Sequence, residues 1–226
     1  MEIKNIFFDY GGTIDSDGIH WRERFYKLYL KAGIKIDYDE FSKAFFDSDD
    51  NLAKRHNLKK TGFKETISYQ VNDVFRYLKI KDSKKKKEII ENFIEDSIEK
   101  INSNKKIFET LLDKGIKLGI ISNFYGNLNN VLKSLGILNY FSFVADSGKI
   151  GVIKPDKAIF IAALKGLNAE IEDSAMVGDA LHRDIKGAHN IGMRHFYLTS
   201  KKGEEIKKCC KKMFVIGKLK DILNYV

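Results

Sequence analysis

The chain has 226 residues, enough to bury a full core and to hold one large domain or a core with an insertion. Its 40 Lys+Arg against 31 Asp+Glu give a net charge of +9, but the lysines are scattered over predicted helix faces and no aromatic-interleaved basic strip accompanies them. The excess therefore reads as a solvated surface with a general attraction for anionic substrates, and no nucleic-acid partner is expected.

No apolar run approaches the roughly 18 residues of a membrane helix, so no membrane partner is expected. Met1-Glu2-Ile3-Lys4 runs straight into the first predicted strand without a leader pattern. The only cysteines, Cys209 and Cys210, are neighbours. Adjacent cysteines rarely pair, and no second pair accompanies them for a metal site, so a reducing cytoplasm is the expected location.

In chain order, Ile3 to Phe8 reads as a buried strand that ends abruptly in Asp9-Tyr10-Gly11-Gly12-Thr13. From about Ile19 the pattern turns helical. Trp21, Phe25, Leu28 and Ala32 form one stripe, and Phe41, Ala44, Phe45 and Leu52 a second. Ile67, Val71, Val74 and Leu78 form a third, and Ile90, Phe93, Ile94 and Ile98 a fourth. Gly33, Gly62 and the stretch from Lys79 to Ser83 are the breaks between them, and the dense lysine run Lys84 to Lys87 lies at such a junction.

After Asn102 helix and strand alternate. Helices are predicted around 106–114, 128–135, 156–167 and 181–190, with a last one from Leu219. Strands are predicted at 117–121, 141–145, 174–177, 195–198 and 213–216. This alternation predicts an α/β fold, a Rossmann-like three-layer core with a mostly parallel sheet, carrying an inserted α-helical bundle. Residues 1–15 and 102–226 are assigned to the core and 16–101 to the insertion.

Chemistry-bearing residues fall where such a fold binds ligands, at the carboxyl ends of strands. Asp9 ends the first strand, Ser122-Asn123 the second, and Gly178-Asp179 the one at 174–177. Lys154-Pro155-Asp156 precedes a helix, and Asp184 follows Asp179 on an opening helical turn. A buried ionised Asp needs a partner or a metal, and paired glycines let backbone approach a ligand. Taken alone, each segment has a plainer reading: a surface Asp opening a turn, a Ser-Asn cap, an exposed lysine, a first-turn acid.

Together, and in this order, these segments resemble the four motifs of the haloacid dehalogenase-like superfamily, phosphatase type, with a helical cap inserted after the first motif. The resemblance implies that Asp9 is a nucleophile forming an aspartyl phosphate. It implies that Ser122 and Lys154 are catalytic, and that Gly12, Thr13, Ser122, Asn123 and Lys154 bind phosphate. It also implies a Mg2+ site built from Asp9, the Gly11 carbonyl and Asp179, with Asp184 acting through water or by orienting Lys154. His182 and Arg183 are expected on the surface.

The implied activity is a Mg2+-dependent phosphomonoester hydrolase acting on a small phosphorylated metabolite beneath a closing cap. One departure is plain: Gly11 stands where family phosphatases carry the Asp that protonates the leaving oxygen, a role worth about 10² to 10⁴ in rate. The alternatives are a catalytically weak or vestigial ligand-binding protein, or a 2-haloacid dehalogenase. The latter type typically lacks the acids that Asp179 and Asp184 represent.

Overall fold

The computed structural model describes residues 2–200 and 206–226. Its six strands are β1 (Asn5–Phe8), β2 (Lys117–Ser122), β3 (Phe143–Asp146), β4 (Ser174–Gly178), β5 (Arg194–Leu198) and β6 (Met213–Ile216). They form one sheet in the order β3-β2-β1-β4-β5-β6, and every pairing is parallel. The order reverses between β1 and β4, the switch point at which open α/β sheets bind ligands. Asp9 and Asp179 sit there, one residue past the ends of the two strands.

The short strands are apolar because both faces are covered. Ile6 and Phe8 face one layer, with Phe108, Leu111, Val131 and Leu132. Phe7 faces the other, with Ile159, Phe160, Ala163 and Ala188. This alternation is the period of two that a pleated strand imposes, and it yields the expected three layers.

Four helices lie between β1 and β2: α1 (Trp21–Lys31), α2 (Tyr38–Arg55), α3 (Phe63–Tyr77) and α4 (Ser83–Asp113). Asp37 and Asp82 cap the starts of α2 and α4 by accepting from main-chain N–H groups. An aromatic cluster fills the bundle, with Phe25 stacked on Phe93 at 3.9 Å and Trp21 edge-on to both.

Two expectations change here. The stretch read as a stripe at 90–98 followed by a separate helix at 106–114 is one continuous 31-residue helix, α4. It runs from the bundle into the core, where Phe108 packs edge-on against Phe8. The fully buried line on α4 is Ile89, Phe93, Ser97 and Ile101, whereas Ile90, Ile94 and Ile98 are half-buried.

The second half of the core adds α5 (Leu128–Ser134), α6 (Ser147–Ile150), α7 (Lys157–Leu167) and α8 (Lys186–Asn190). The predicted helix at 181–190 is a wide turn at Leu181–Ile185 leading into α8, and the last predicted helix is a 3-10 turn at Leu219–Tyr225. No helix among the described residues is long and apolar enough to cross a membrane.

Candidate active site

The turn after β1 is shaped by Gly12, whose φ of +96° a side chain would resist. A Cβ there would also lie 2.4 Å from Asp179 Oδ2, so only glycine lets the first turn close on the end of β4. Thr13 Oγ1 then donates to Asp179 Oδ1 at 3.1 Å. Gly178 plays the same part for the other acid, since a Cβ would meet Asp184 Oδ2 at 2.3 Å.

Asp9, Asp179 and Asp184 thereby bring carboxylate oxygens within 4.8 Å of one another. Asp9 and Asp184 are buried, and Asp179 half-buried. The ammonium of Lys154 is the counter-charge. Its Nζ lies 2.6 Å from Asp9 Oδ1 and 2.6 Å from Asp184 Oδ1, and it donates to the Ile121 carbonyl at 2.7 Å. Three acceptors thus surround a three-proton donor that is 2% exposed.

Burial alone would lower the Lys154 pKa, but the attraction of Asp184 and then Asp9 overcomes it and raises it above the ordinary lysine range. The Asn123 side chain pairs with the backbone of Lys154. Its amide accepts from the Lys154 N–H at 2.7 Å and donates to the Lys154 carbonyl at 3.1 Å, clamping the backbone that carries the ammonium. The Lys154–Pro155 peptide bond is cis. Asp146, at the end of β3, holds the loop after β2 by accepting from Gly126 N and Leu128 N.

Three carboxylates against one ammonium leave the cluster negative. Burial, then the Asp9 and Asp184 charges, pushes Asp179 well above the usual carboxylate range. Burial likewise raises Asp184, although Lys154 and the Ala180 N–H oppose the shift. A convergent set of hard oxygen donors with excess negative charge suits a hard divalent cation such as Mg2+, and the residues present fit that group.

The cluster forms the floor of a cleft of about 520 Å3, its open mouth included. Asp9, Gly11, Ser122, Asn123, Lys154, Asp179 and Asp184 all line it. Thr13 is buried behind Asp179 and Gly12 beneath it.

The upper wall comes from His20, which the sequence offers only as a poorly placed candidate acid, from Trp21 and Phe45, read there as core-facing, and from Asp49, Tyr125 and Arg183, which it does not place in the site. Arg183, expected on the surface, is half-buried and donates to His20 Nε2 at 2.8 Å. His182 is exposed as expected. Burial, then Arg183 and Arg22, lowers the His20 pKa to about 4, leaving a neutral imidazole at physiological pH. Burial pushes the Asp49 carboxyl up, against the opposing effects of its Tyr125 hydrogen bond and Arg183. No local motif marks these residues, because α2 and the loops after β2 and β4 meet only in the folded chain.

The fold is thus a parallel α/β sheet that gathers three carboxylates and a buried lysine at its switch point. Residues 36–198 match the model of the haloacid dehalogenase-like hydrolase family, and the chain belongs to that family.

Among curated relatives, the bovine haloacid dehalogenase-like hydrolase domain-containing protein 3 is 38% identical over 86 residues, 38% of this chain and 34% of that protein. Glyceraldehyde 3-phosphate phosphatase of Pyrococcus abyssi is 39% identical over 92 residues, 40% of this chain and 38% of the enzyme. Phosphoserine phosphatase of Thermus thermophilus is 35% identical over 82 residues, 36% and 33% respectively. The aligned segments thus span only 33–38% of these relatives.

A solved HAD phosphatase from Thermococcus onnurineus superposes over 100% of this chain and 99% of its own, at a TM-score of 0.57 and 25% identity. A 2-haloacid dehalogenase from Pseudomonas syringae, at 0.53 and 19%, shares the fold.

Proposed function

We propose that the chain is a Mg2+-dependent phosphomonoester hydrolase acting on a small phosphorylated metabolite through an aspartyl phosphate on Asp9. The observation that carries this reading is the Lys154 ammonium held at 2.6 Å from both Asp9 and Asp184 at the floor of the cleft. The phosphatase names of the partial relatives support it.

In this reading a carboxylate oxygen of Asp9 attacks phosphorus and the substrate oxygen leaves. Water then attacks the phosphoenzyme, releasing phosphate and restoring Asp9. Lys154 offsets charge on the transferring group, and Ser122 donates to one of its oxygens. Asp9, Asp179, Asp184 and the Gly11 carbonyl would hold Mg2+, which supplies further neutralisation of phosphoryl charge. The helices α1 to α3 act as the cap, and a cleft of this size suits a metabolite better than a phosphoprotein.

Proton transfer needs a group other than Gly11. Asp15 is engaged by the Gly12 N–H, the Trp21 indole and Arg24 at 2.6 to 2.7 Å. Asp17 is held by Lys100 and the Leu219 N–H. A histidine lowered to about 4 is a poor acid. Asp49 lines the cleft with a raised pKa, and we assign the acid role to it.

Phosphate release from a panel of small phosphomonoesters, with Mg2+ and then with EDTA, tests the proposal. Mg2+-dependent release that disappears in Asp9→Asn is the expected result. No release from any ester, or release that survives Asp9→Asn, overturns it.

A further inference from the structure

The neighbouring cysteines that lacked a second pair in the sequence find one in the fold. His189 at the end of α8, His195 on β5 and Cys209-Cys210 ahead of β6 each offer a ligand atom, all within 4.8 Å of one another. The geometry points to a structural Zn2+ site formed by His189 Nδ1, His195 Nε2, Cys209 Sγ and Cys210 Sγ, at the edge of the sheet opposite the active site.

Four of the six distances between ligand atoms lie close to a tetrahedron's edges. With Zn–S about 2.3 Å and Zn–N about 2.0–2.1 Å, a tetrahedral ion places two sulfurs about 3.8 Å apart and a sulfur and a nitrogen about 3.6 Å apart. Cys209 Sγ and Cys210 Sγ are 3.9 Å apart. Cys209 Sγ lies 3.7 Å from His189 Nδ1 and 3.3 Å from His195 Nε2, and Cys210 Sγ lies 3.8 Å from His195 Nε2. The two remaining distances, from His189 Nδ1 to Cys210 Sγ and to His195 Nε2, lie within 4.8 Å, and the exposed His189 side chain is free to close on the ion.

The outer partner of a zinc-bound histidine is also present. His195 is fully buried, and its Nδ1 lies 2.8 Å from the Met193 carbonyl, which can only accept. The proton is therefore on Nδ1, and the lone pair of Nε2 points at the two sulfurs, the orientation seen in zinc sites. Burial holds this imidazole below its usual pKa, in the neutral form that ligates. Two soft sulfurs and two imidazoles select Zn2+ over Mg2+, and four protein ligands leave no open position for chemistry.

The site lies away from the reaction. His195 pairs with Met176 in register, and Gly178, next to Asp179, pairs with Tyr197. At about 3.3 Å per residue this is roughly 10 Å along the strands from the acid cluster. Binding would join the turn before edge strand β6 to α8 and β5. On binding, both thiols lose their protons to solvent, and the two thiolates balance the charge of the ion.

Cobalt(II) is the direct probe, titrated into the full reduced chain with excess Mg2+ present to occupy the acid cluster. The expected result is one equivalent bound, with a thiolate-to-cobalt charge-transfer band and the intense visible bands of a tetrahedral ion, displaced by one equivalent of Zn2+. Cys209→Ser, an exposed position that leaves the core intact, should weaken Zn2+ binding by more than the about 10- to 100-fold that losing an outer partner typically costs. Phosphate release should be unchanged in that variant.

His189→Ala, also exposed, should weaken binding similarly and retain the charge-transfer band at saturating cobalt. The absence of the band from the folded, reduced wild-type chain would overturn the assignment. So would Zn2+ bound with wild-type affinity by a Cys209→Ser/Cys210→Ser chain. Neither result touches the phosphatase reading, whose residues lie at the other sheet edge.

Discussion

Replacing Lys154 by Met should unmask the charge balance of the active site. At an effective dielectric of about 20, each carboxylate at 2.6 Å attracts the ammonium by roughly 6 kcal/mol. Desolvating the ions returns several kcal/mol apiece, so removing the cation and stranding its partners should cost about 3–5 kcal/mol. For a chain of this size that is a Tm fall of roughly 6–20 °C.

The loss should depend on pH in a stated direction. Asp179 and Asp184 have folded pKa values raised above the unfolded range, so the folded chain binds more protons than the unfolded one over that window. Its stability therefore falls as pH rises from about 4 through the raised values. Lys154 holds both shifts down, and its removal extends the window upward. Its own raised pKa withdraws its contribution only at strongly alkaline pH.

Urea unfolding in EDTA should accordingly show the full deficit at pH 8 and a clearly smaller one at pH 5. Mg2+ should restore more stability to the variant than to the wild type. A deficit below about 1 kcal/mol at pH 8, or one flat between pH 5 and 8, would refute this account of the cluster.

Two other substitutions probe the geometry. Gly12→Ala meets both the positive φ and the Asp179 carboxylate, and should cost about 1–3 kcal/mol in thermal melts while raising the Mg2+ concentration needed for half-maximal phosphate release. Asp49→Asn should slow hydrolysis of alkyl phosphates by about 10² to 10⁴ and affect aryl phosphates with good leaving groups much less. Equal slowing of both classes would remove Asp49 from the acid role.

The sequence carried the sheet and the floor of the site because these depend on short-range pattern. An apolar run ending in Asp, Ser-Asn or Gly-Asp marks a strand end, and the strand order then brings Asp9, Ser122, Lys154 and Asp179 together. The continuity of α4 was less visible. The register of its buried line depends on partners far along the chain: Ser97 accepts from Arg24 at 2.7 Å, and Asn104 donates to the Ile14 carbonyl at 2.8 Å. Two polar residues therefore lie on a face that periodicity assigns to apolar ones. The upper wall of the cleft and the His189–His195–Cys209–Cys210 cluster depend in the same way on elements that meet only after folding.

The change at Gly11 is not a simple deletion of an acid, because three residues occupy that space as a unit. Gly11 has ordinary backbone angles, so its conformation does not demand glycine. The Trp21 indole crowds any side chain there, since a Cβ would lie 3.1 Å from its Nε1 and 3.2 Å from its Cε2, so the ring would have to give by a few tenths of an ångström. The indole in turn donates to Asp15 at 2.6 Å, and Asp15 also accepts from the Gly12 N–H and from Arg24. Gly11→Asp alone therefore pushes on a side chain that is locked in place, and should lower both stability and turnover. Gly11→Asp with Trp21→Phe removes the indole N–H and opens room beside the new carboxyl, so the pair should be strongly non-additive. A double-variant cycle on kcat for an alkyl phosphate and on urea stability measures it. Coupling below about 0.5 kcal/mol in both would show that Trp21 does not hold the acid's place.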